Sequence, residues 1–382
     1  MRTFLATIFS LCAACFVISC STHSPSDRST TDDEFGEVPA LWLSYAGKAD
    51  MPHIVLISGD EEYRSEEALP QLAKILSTHH GFRCTVLFAQ DPAAPGIVDP
   101  NYVHNIPGLD LVASADLMVL FTRFRALPDE QMQHIDDYLK AGKPVIGIRT
   151  STHAFRFEGT DMSSSFAHYG NFYDGGDEWQ DGFGRLVLGE KWISHHGHHA
   201  HQSTRGWAAP GAADHPLLNG IDHGDIWGPT DVYGVRLPLP GDSQPIVLGQ
   251  VVDRAGTFDE ADPLLGMAPT DKSPALPVTT TQNGQTVEVD LNVPMMPITW
   301  TKTYQIPEGK PGKAVTSTIG ASVDLLEEGT RRLLVNAAFW LLELKVPLEA
   351  NVDLVGTYEP SRFAFYEDEY WDKKQLTVQG LK

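Results

Sequence analysis

The sequence predicts an α/β protein built on a doubly wound parallel sheet, and two observations support this. Short apolar runs recur between residues 53 and 149, and each is hydrophobic at almost every position. That composition is typical of parallel strands buried on both faces of a sheet. Segments with apolar residues at helical spacing separate these runs. Strands that alternate with helices in this way indicate βαβ units, with helices on both faces of the sheet.

The first part of the chain contains four predicted strands: His53–Gly59, Arg83–Ala89, Asp116–Thr122 and Pro144–Arg149. The helix after the first strand is predicted to end at Gly81. The helix after the third strand is predicted to begin after Pro128 and to end at Gly142, since proline and glycine are common at these helix boundaries.

The second half of the chain is less regular. Residues 155–230 are rich in aromatic residues, glycine and histidine, and we expect long loops there because periodic segments are few. Residues 253–293 are rich in Pro, Thr and Asp and are predicted to be an insertion or an extended hairpin. Two further strands are predicted at Ile298–Lys302 and Ala314–Ile319.

A last helix follows these strands, and we expect Asp324 and Glu327 to form its capping pair. No internal repeat is visible. The simplest organisation is one α/β domain over residues 38–363, with long loops, followed by a C-terminal tail over residues 364–382.

The N-terminus has the pattern of an export signal. Arg2 precedes an apolar run that ends at Ile18 and is too short to span a membrane. A positive start, a short apolar core and a small residue before the cut are typical of secretory signals, so residues 1–19 are predicted to be a signal peptide.

The cut site itself indicates a lipid anchor. Val17-Ile18-Ser19-Cys20 resembles the lipobox of bacterial lipoproteins, in which the cysteine is lipidated and becomes the mature N-terminus. Ser21 at the next position is typical of lipoproteins sorted to the outer membrane. Residues 20–37 lack an apolar period and are predicted to be a disordered tether. We therefore expect an exported, lipid-anchored protein on the periplasmic side of the outer membrane.

Net charge limits the ligands that the chain is expected to bind, and cysteine content limits its disulfide bonds. The formal net charge of −22 argues against nucleic acids and anionic lipid surfaces as ligands. After signal cleavage and lipidation of Cys20, Cys84 is the one remaining cysteine, so no intrachain disulfide is expected. The only membrane contact that the sequence predicts is through the N-terminal lipid.

The end of the fourth strand excludes two enzyme classes. In open α/β sheets, ligands bind beyond the carboxyl ends of the strands. In class I glutamine amidotransferases, the comparable strand ends in a Gly-x-Cys elbow that supplies the nucleophile. Here the matching residue is Arg149, which is always protonated, and no Gly-x-Ser-x-Gly motif surrounds Ser151. Arg149 is instead expected to bind an oxygen-rich ligand, and His153 is a candidate acid or base.

A dense histidine run indicates where the chemistry lies. Five of the seven residues from His195 to His201 are histidine. Histidine titrates near neutrality and is the commonest metal ligand, so the run indicates acid–base chemistry, metal binding or anion binding. It does not match the zinc motifs, because there is no His-Glu-x-x-His and no paired cysteine motif.

Several ordered motifs together resemble the ThuA-like (trehalose utilisation) family, and in particular its long, exported members. They are Gly147–Phe155, Trp192–His199, Thr204–Gly206, Asp231–Tyr233, Pro294–Pro297 and Thr318–Ser322. The resemblance runs from about residue 52 to 363. It implies a glutamine amidotransferase-like, flavodoxin-like fold without the cysteine, and a link to oxidised (3-keto) glucosides and disaccharides. One departure is Gly320-Ala321, where shorter members have a Gly-His pair, so a metal site inferred from those members does not carry over.

These patterns give a set of candidate site residues. The candidate catalytic residues are His153, His199 and Asp231. Candidate substrate-binding residues are Glu62, Tyr63, Arg149, His195, His196, Arg205 and Tyr233. Candidate metal ligands are His153, His195, His196 and His199, with Asp60 or Asp231 supplying a carboxylate. Among the tryptophans, Trp179, Trp192 and Trp227 are candidates to stack on sugar rings, although isolated aromatic residues more often belong to the core.

The sequence leaves three functions open. The first is an exported enzyme that isomerises a keto-sugar, or eliminates and hydrates a keto-glycoside, with His153 or His199 as the base and Arg149 and Tyr233 stabilising negative charge. The second is a sugar-binding lipoprotein without catalysis. The third is a metal-dependent hydrolase. A small carbohydrate is the expected ligand in the first two, no cofactor is specified by the sequence, and a divalent metal belongs to the third.

Overall fold

All four strands predicted in the first part of the chain are present. The structure is a computed structural model that describes residues 39–282 and 285–382. The predicted signal peptide, the lipidation site Cys20 and the predicted tether lie outside the described residues. Residues 39–382 form one compact unit.

Within the described residues, twelve strands follow one another along the chain. They are β1 Trp42–Tyr45, β2 His53–Gly59, β3 Arg83–Phe88, β4 Leu117–Thr122, β5 Val145–Ile148, β6 Gln202–Ala208, β7 Trp227–Gly228, β8 Gln244–Asp253, β9 Val278–Gln282, β10 Gln285–Val289, β11 Met296–Tyr304 and β12 Gly312–Ser317. Ten of them form the central sheet in the order β1-β3-β2-β4-β5-β12-β11-β8-β6-β7, and β9 and β10 form a separate hairpin.

The central sheet is mixed, which corrects the prediction of a parallel sheet. Strands β3, β2, β4, β5 and β12 are parallel to one another. Strand β1 pairs antiparallel at one edge, and β11, β8, β6 and β7 extend the other side as antiparallel strands. The protein is therefore an α/β protein in which an antiparallel extension continues the parallel half of the sheet.

Helices cover both faces of the parallel half. The helices are α1 Ser65–His80, α2 Asp129–Lys140, α3 Gly182–Leu186, α4 Glu328–Leu341 and α5 Asp368–Lys374. Alternate residues of a strand point to opposite faces. Ile54 and Leu56 accordingly pack in one core with α1 and α4, whereas Val55 and Ile57 pack in a second core with α2.

The two residues that were predicted to cap α4 do not form a capping pair. Asp324 lies in a short 3-10 turn before the helix, and its carboxylate accepts hydrogen bonds from the N–H groups of Gly320 and Ala321 and from Thr230. Glu327 precedes α4 and makes no side-chain capping bond. The carboxylate that was predicted to cap a helix instead holds the loop after β12 in place.

The last residues of the chain pack on the same unit. Helix α5 buries Trp371 against the guanidinium of Arg64, and the N–H of Val378 donates to the carbonyl of Gly96. Cys84 is buried and free. No helix among the described residues has the length and apolarity that crossing a membrane requires.

Candidate functional site

Strands β2, β4 and β5 are neighbours in the parallel half, and the loops after β2 and β5 form the floor of the site. Asp60 follows β2, and one of its carboxylate oxygens accepts the N–H groups of Glu62 and Tyr63. The other oxygen accepts the hydroxyl of Thr150, which follows β5, at 2.5 Å. Asp60, a predicted metal ligand, thus uses both oxygens to join the two loops.

Arg149 occupies the bend at the end of β5, and its guanidinium forms hydrogen bonds with other residues of the protein. Its φ of +46° is in the left-handed region, which bulky residues rarely adopt and which recurs at functional sites. One terminal nitrogen donates to the carbonyls of Asp231 and Thr318, both at 2.7 Å. The other donates to Asp231 Oδ1 at 3.0 Å and to the Tyr63 hydroxyl at 3.1 Å.

Two tyrosine rings enclose the same guanidinium. The centroids of Tyr63 and Tyr233 lie 4.4 and 3.9 Å from the Arg149 Cζ, and all three residues are at most 2% exposed. The prediction that Arg149, Tyr63 and Tyr233 contact a ligand is therefore revised. In this structure they form a buried support that positions Asp231.

Asp231 is the centre of the site. It is fully buried, and its carboxylate contacts two histidines: Oδ2 lies 2.8 Å from His195 Nδ1, and Oδ1 lies 3.1 Å from His199 Nδ1. Burial alone would raise the pKa of Asp231, but hydrogen bonds from both histidines and the charge of Arg149 hold it well below its usual value. Asp231 is therefore ionised at neutral pH.

The ionised carboxylate fixes the tautomer of both imidazoles. A carboxylate can only accept hydrogen bonds, so His195 Nδ1 and His199 Nδ1 must carry the protons. Each Nε2 then presents a lone pair when the ring is neutral. The two side chains are 36% and 35% exposed, so this pair connects the buried carboxylate to solvent.

Local backbone contacts explain how the histidine run reaches Asp231. The N–H groups of His196 and Gly197 both donate to the carbonyl of Val232, at 2.8 and 3.1 Å. This attaches the run to the Asp231–Tyr233 segment. A Cβ at Gly197 would lie 3.3 Å from the Cβ of Asp231, so glycine allows the two segments to approach closely.

Glu62 supplies a second carboxyl group on the other side of His199. Its Oε1 lies 3.4 Å from His199 Nε2, and its side chain is 7% exposed. Burial, together with the negative charge of Asp60, raises the pKa of Glu62 to about 8. The nearby Arg123 opposes this only partly, since it pairs more closely with Glu61. Glu62 is therefore protonated at neutral pH, as a general acid must be.

His153 lies beside this centre, but no carboxylate among the described residues pairs with it. It is 4% exposed and packs among the rings of Phe124, Trp192 and Tyr233 at centroid distances of 4.9 to 6.1 Å. Burial, followed by the positive charges of Arg123 and Arg149, lowers its pKa well below the usual value. This weak, enclosed base is less suited to proton abstraction than His195 or His199.

Two predicted site residues are not part of this cluster. His196 turns away, and its Nε2 bonds to the carbonyl of Leu291 at 2.6 Å. Arg205 donates to the carbonyls of Gly224 and Asp271 and lines a separate cavity of about 480 Å³ near the start of α4. The structure therefore gives neither residue a contact with the Asp231 centre.

Two residues of the site were not found from the sequence. Arg123 follows β4 at the same sheet edge, so the rule that ligands bind beyond strand ends could have identified it. Phe363 stacks on Tyr63 at 5.4 Å and contacts the His199 ring at 5.5 Å. Its position depends on where the chain returns after α4, and no local pattern in the sequence indicates that.

One group of side chains among the described residues has the geometry of a metal site. One ligand atom from each of His195, His199 and Asp231 lies within 4.8 Å of the other two. Two imidazoles and a carboxylate are a common ligand set for catalytic zinc and for non-haem iron. The donor set fits a divalent cation, whereas His153, His196 and Asp60 lie outside it.

Comparisons with known proteins leave the family open. No protein-family model matches the chain, and no curated protein matches it. A solved structure of a ThuA-like protein from Parabacteroides merdae is similar at 12% identity and a TM-score of 0.42, covering 84% of this chain and 99% of that one. A likeness this distant does not show that the chain belongs to that family.

Proposed function

We propose that this chain is an exported enzyme that acts on a carbohydrate by proton transfer at His195 and His199. The single observation that carries the proposal is the buried carboxylate of Asp231, which contacts Nδ1 of both imidazoles. A carboxylate in this position orients the ring, fixes its tautomer and stabilises the imidazolium that forms during proton transfer. A histidine with a purely structural role does not need a buried carboxylate at Nδ1, and here two half-exposed histidines share one.

The two histidines suit different roles. Among the described residues, His195 Nε2 forms no hydrogen bond or ion pair, so we assign His195 as the base that contacts substrate. His199 Nε2 faces Glu62, whose pKa of about 8 keeps the carboxyl group protonated. We assign Glu62 as the source of the donated proton, which His199 accepts at Nε2 and passes on as an imidazolium stabilised by Asp231. This revises the sequence-based choice of His153 or His199 as the base.

The sequence motifs that resemble the ThuA-like family support a keto-sugar or keto-glycoside as substrate. In a glycoside with a carbonyl at C3, the C2 proton is acidic because its removal gives an enolate. His195 would take that proton, the C1–O bond would break, and the Glu62 proton, passed through His199 Nε2, would protonate the departing oxygen. Addition of water across the resulting C1–C2 double bond then completes hydrolysis. Isomerisation uses the same base and returns the proton to a neighbouring carbon instead.

The strand order supports the finer fold assignment. Numbered along the chain, the five parallel strands lie in the order 2-1-3-4-5, which is the order of flavodoxin-like sheets. The ligand site of such sheets lies beyond the strand ends, and the Asp231 centre lies there.

We also propose that the protein is attached to the membrane through a lipid on Cys20. The proposal is supported by the lipobox-like sequence and by the polar segment that follows it. Substrate would then be encountered outside the cytoplasm.

Metal-dependent hydrolysis is a second candidate, favoured by the geometry of His195, His199 and Asp231. A cation held there would lower the pKa of a bound water. Metal analysis of the purified protein, combined with turnover of 3-keto-trehalose before and after chelation, separates the two. Proton transfer predicts turnover that survives chelation. Loss of turnover on chelation, restored by a stoichiometric cation, would favour the metal, and binding without turnover would favour a sugar-binding protein.

A further inference from the structure

A row of aromatic rings leads away from the Asp231 centre across the sheet edge. The ring of His195 lies 5.8 Å from Trp192, and Trp192 lies 5.3 Å from His153. His153 is 4.9 Å from Phe124, and Phe124 is 5.9 Å from Phe172. We call Trp192, His153, Phe124 and Phe172 the aromatic row.

The row is buried at His153, which supports the rings on either side of it, and becomes exposed only at its far end. Trp192 and Phe124 are half-buried, whereas Phe172 at the far end is 56% exposed. The other two tryptophans considered from the sequence, Trp179 and Trp227, are only 7% and 1% exposed and belong to the core. Trp192 is thus the one of the three with a ring beside the Asp231 centre.

Phe124 is held in its place by the backbone. Its φ is +48°, an uncommon conformation for a bulky residue. Its N–H donates to the carbonyl of His153 at 2.9 Å, and the N–H of Arg125 donates to the carbonyl of Ala154 at 2.7 Å. The end of β4 is therefore fixed to the loop after β5. Backbone strain of this kind persists where the surroundings enforce it, and it recurs at ligand sites.

A cavity of about 160 Å³ lies at the far end of the row. Phe172 and Met162 supply apolar surface to it, and Arg156, Glu158 and Asp174 supply charged groups. The Arg156 guanidinium lies over Phe124 at 5.2 Å and over Phe172 at 5.5 Å. Aromatic faces beside hydrogen-bonding groups suit a sugar ring, which presents C–H bonds on its faces and hydroxyl groups at its edge.

We propose that the aromatic row and this cavity form a second subsite, in which Phe172 binds a further ring of the substrate. The inference rests on the proposed carbohydrate function and deepens it. It assigns the substrate class as a glycoside of at least two rings, with the reacting ring at the Asp231 centre. Phe172 then contributes to specificity without taking part in proton transfer.

The test compares a one-ring and a two-ring probe, 3-ketoglucose and 3-keto-trehalose, in Phe172→Ala. Phe258→Ala is the matched control, because Phe258 is 45% exposed, has the Arg254 guanidinium over its ring at 5.2 Å and lies outside the row. We expect Phe172→Ala to weaken binding of the two-ring probe by about 3- to 10-fold, the usual contribution of a stacked aromatic ring. Binding of the one-ring probe, and both affinities of Phe258→Ala, should match the unsubstituted protein. Calorimetric titration measures all of these.

The outcomes separate the subsite from the proposed function. If the unsubstituted protein binds both probes and Phe172→Ala leaves both affinities unchanged, the subsite is wrong while the proposed function stands. If the unsubstituted protein binds neither probe, both fail. If Phe172→Ala changes the sedimentation of the protein but not its affinity for sugar, Phe172 belongs to a protein contact, and the subsite is again wrong.

Discussion

At the residue scale, the site depends on which of its buried carboxyl groups are protonated at neutral pH. Asp231 and Glu62 are both buried carboxyl groups within reach of His199, yet their pKa values shift in opposite directions. Asp231 receives hydrogen bonds from two histidines and the charge of Arg149, so it stays ionised. Glu62 is desolvated beside the negative charge of Asp60, so it keeps its proton. Carboxyl groups whose surroundings separate their pKa values in this way are typical of acid–base sites.

The first prediction concerns Glu62 as the proton donor. Because the pKa of Glu62 is raised to about 8, its acid form is present below that pH and is lost above it. Turnover of 3-keto-trehalose should therefore fall as the pH rises through about 8. Glu62→Gln should lower turnover by about 10²- to 10⁴-fold and remove this alkaline limb of the pH profile. Glu343→Gln, at an exposed carboxylate that pairs with Lys313, is the control. An unchanged alkaline limb in Glu62→Gln would exclude Glu62 as the acid.

The second prediction concerns His153 and stability. Its folded pKa lies well below the unfolded value of about 6.5, so at lower pH the unfolded state binds a proton that the folded state does not. The stability of the unsubstituted protein should therefore fall below pH 6.5, with a contribution from His153 of up to about 1.4 kcal/mol per pH unit. His153→Gln lacks this contribution. Urea denaturation at pH 7.5 and 5.0 measures the difference, and identical pH dependence in the two proteins would contradict it.

At the element scale, the bend after β5 carries the site. Arg149 is placed there by its left-handed backbone and by hydrogen bonds to loops that follow β2 and β12 and to Asp231. Its role is to bring separate loops together and to neutralise a buried carboxylate. A lysine retains the charge but cannot reproduce the planar fork.

The third prediction follows from that role. Arg149→Lys should lower the free energy of unfolding by about 2–4 kcal/mol, because at least two buried acceptors lose their donor. Arg156→Lys is the control, since Arg156 is 40% exposed and pairs with an exposed glutamate, and its effect should stay within about 0.5 kcal/mol. Equal stabilities of the two variants in urea denaturation would contradict the structural role of Arg149.

The parallel half of the sheet could be predicted from the sequence because its central strands β2, β4 and β5 are nearly continuous apolar runs. Strand β2, His53–Gly59, is an example, with six of its residues buried. Strand β6 carries Gln202, Thr204 and Arg205, so neither alternation nor an apolar run marks it as a strand. It forms because it pairs with β8, a long-range contact that no local pattern indicates. Strands β6, β7 and β8 of the antiparallel extension were missed, whereas β11, Met296–Tyr304, was predicted as the strand Ile298–Lys302.

The site could be predicted in part for a similar reason. The predicted strand ends and the dense histidine run indicated which part of the chain contains the candidate site. Which histidines reach Asp231 depends on the attachment of His196 and Gly197 to Val232, and the sequence does not contain that information. The resulting choice of His196 and Arg205 as ligand-binding residues found no support in the structure.

At the scale of the whole molecule, the unit that contains the candidate site and the predicted anchor are separate in sequence. Residues 39–382 form one compact unit, and the lipobox-like motif precedes it. We expect the unit to keep its activity without the lipid.

The fourth prediction tests the anchor. Cys20→Ser should move the protein from the membrane fraction to the soluble fraction of the cell envelope, because the lipid supplies the only predicted membrane contact. Turnover by the released protein should equal that of the anchored one. Continued membrane association of Cys20→Ser, with no lipid on the N-terminus of the unsubstituted protein, would exclude the lipoprotein assignment.

We expect His195 and His199 to carry the proton transfer and the neighbouring histidines to take no part in it. The histidine run provides its own controls, because His196 turns to Leu291 and His198 stacks on His201. The most direct test is to measure kcat for 3-keto-trehalose in four variants: His195→Gln, His199→Gln, His196→Gln and His198→Gln. The first two should lose about 10²- to 10⁴-fold in kcat with little change in KM, and the last two should match the unsubstituted protein. Full activity in both of the first two variants, or an equal loss in all four, would contradict the account.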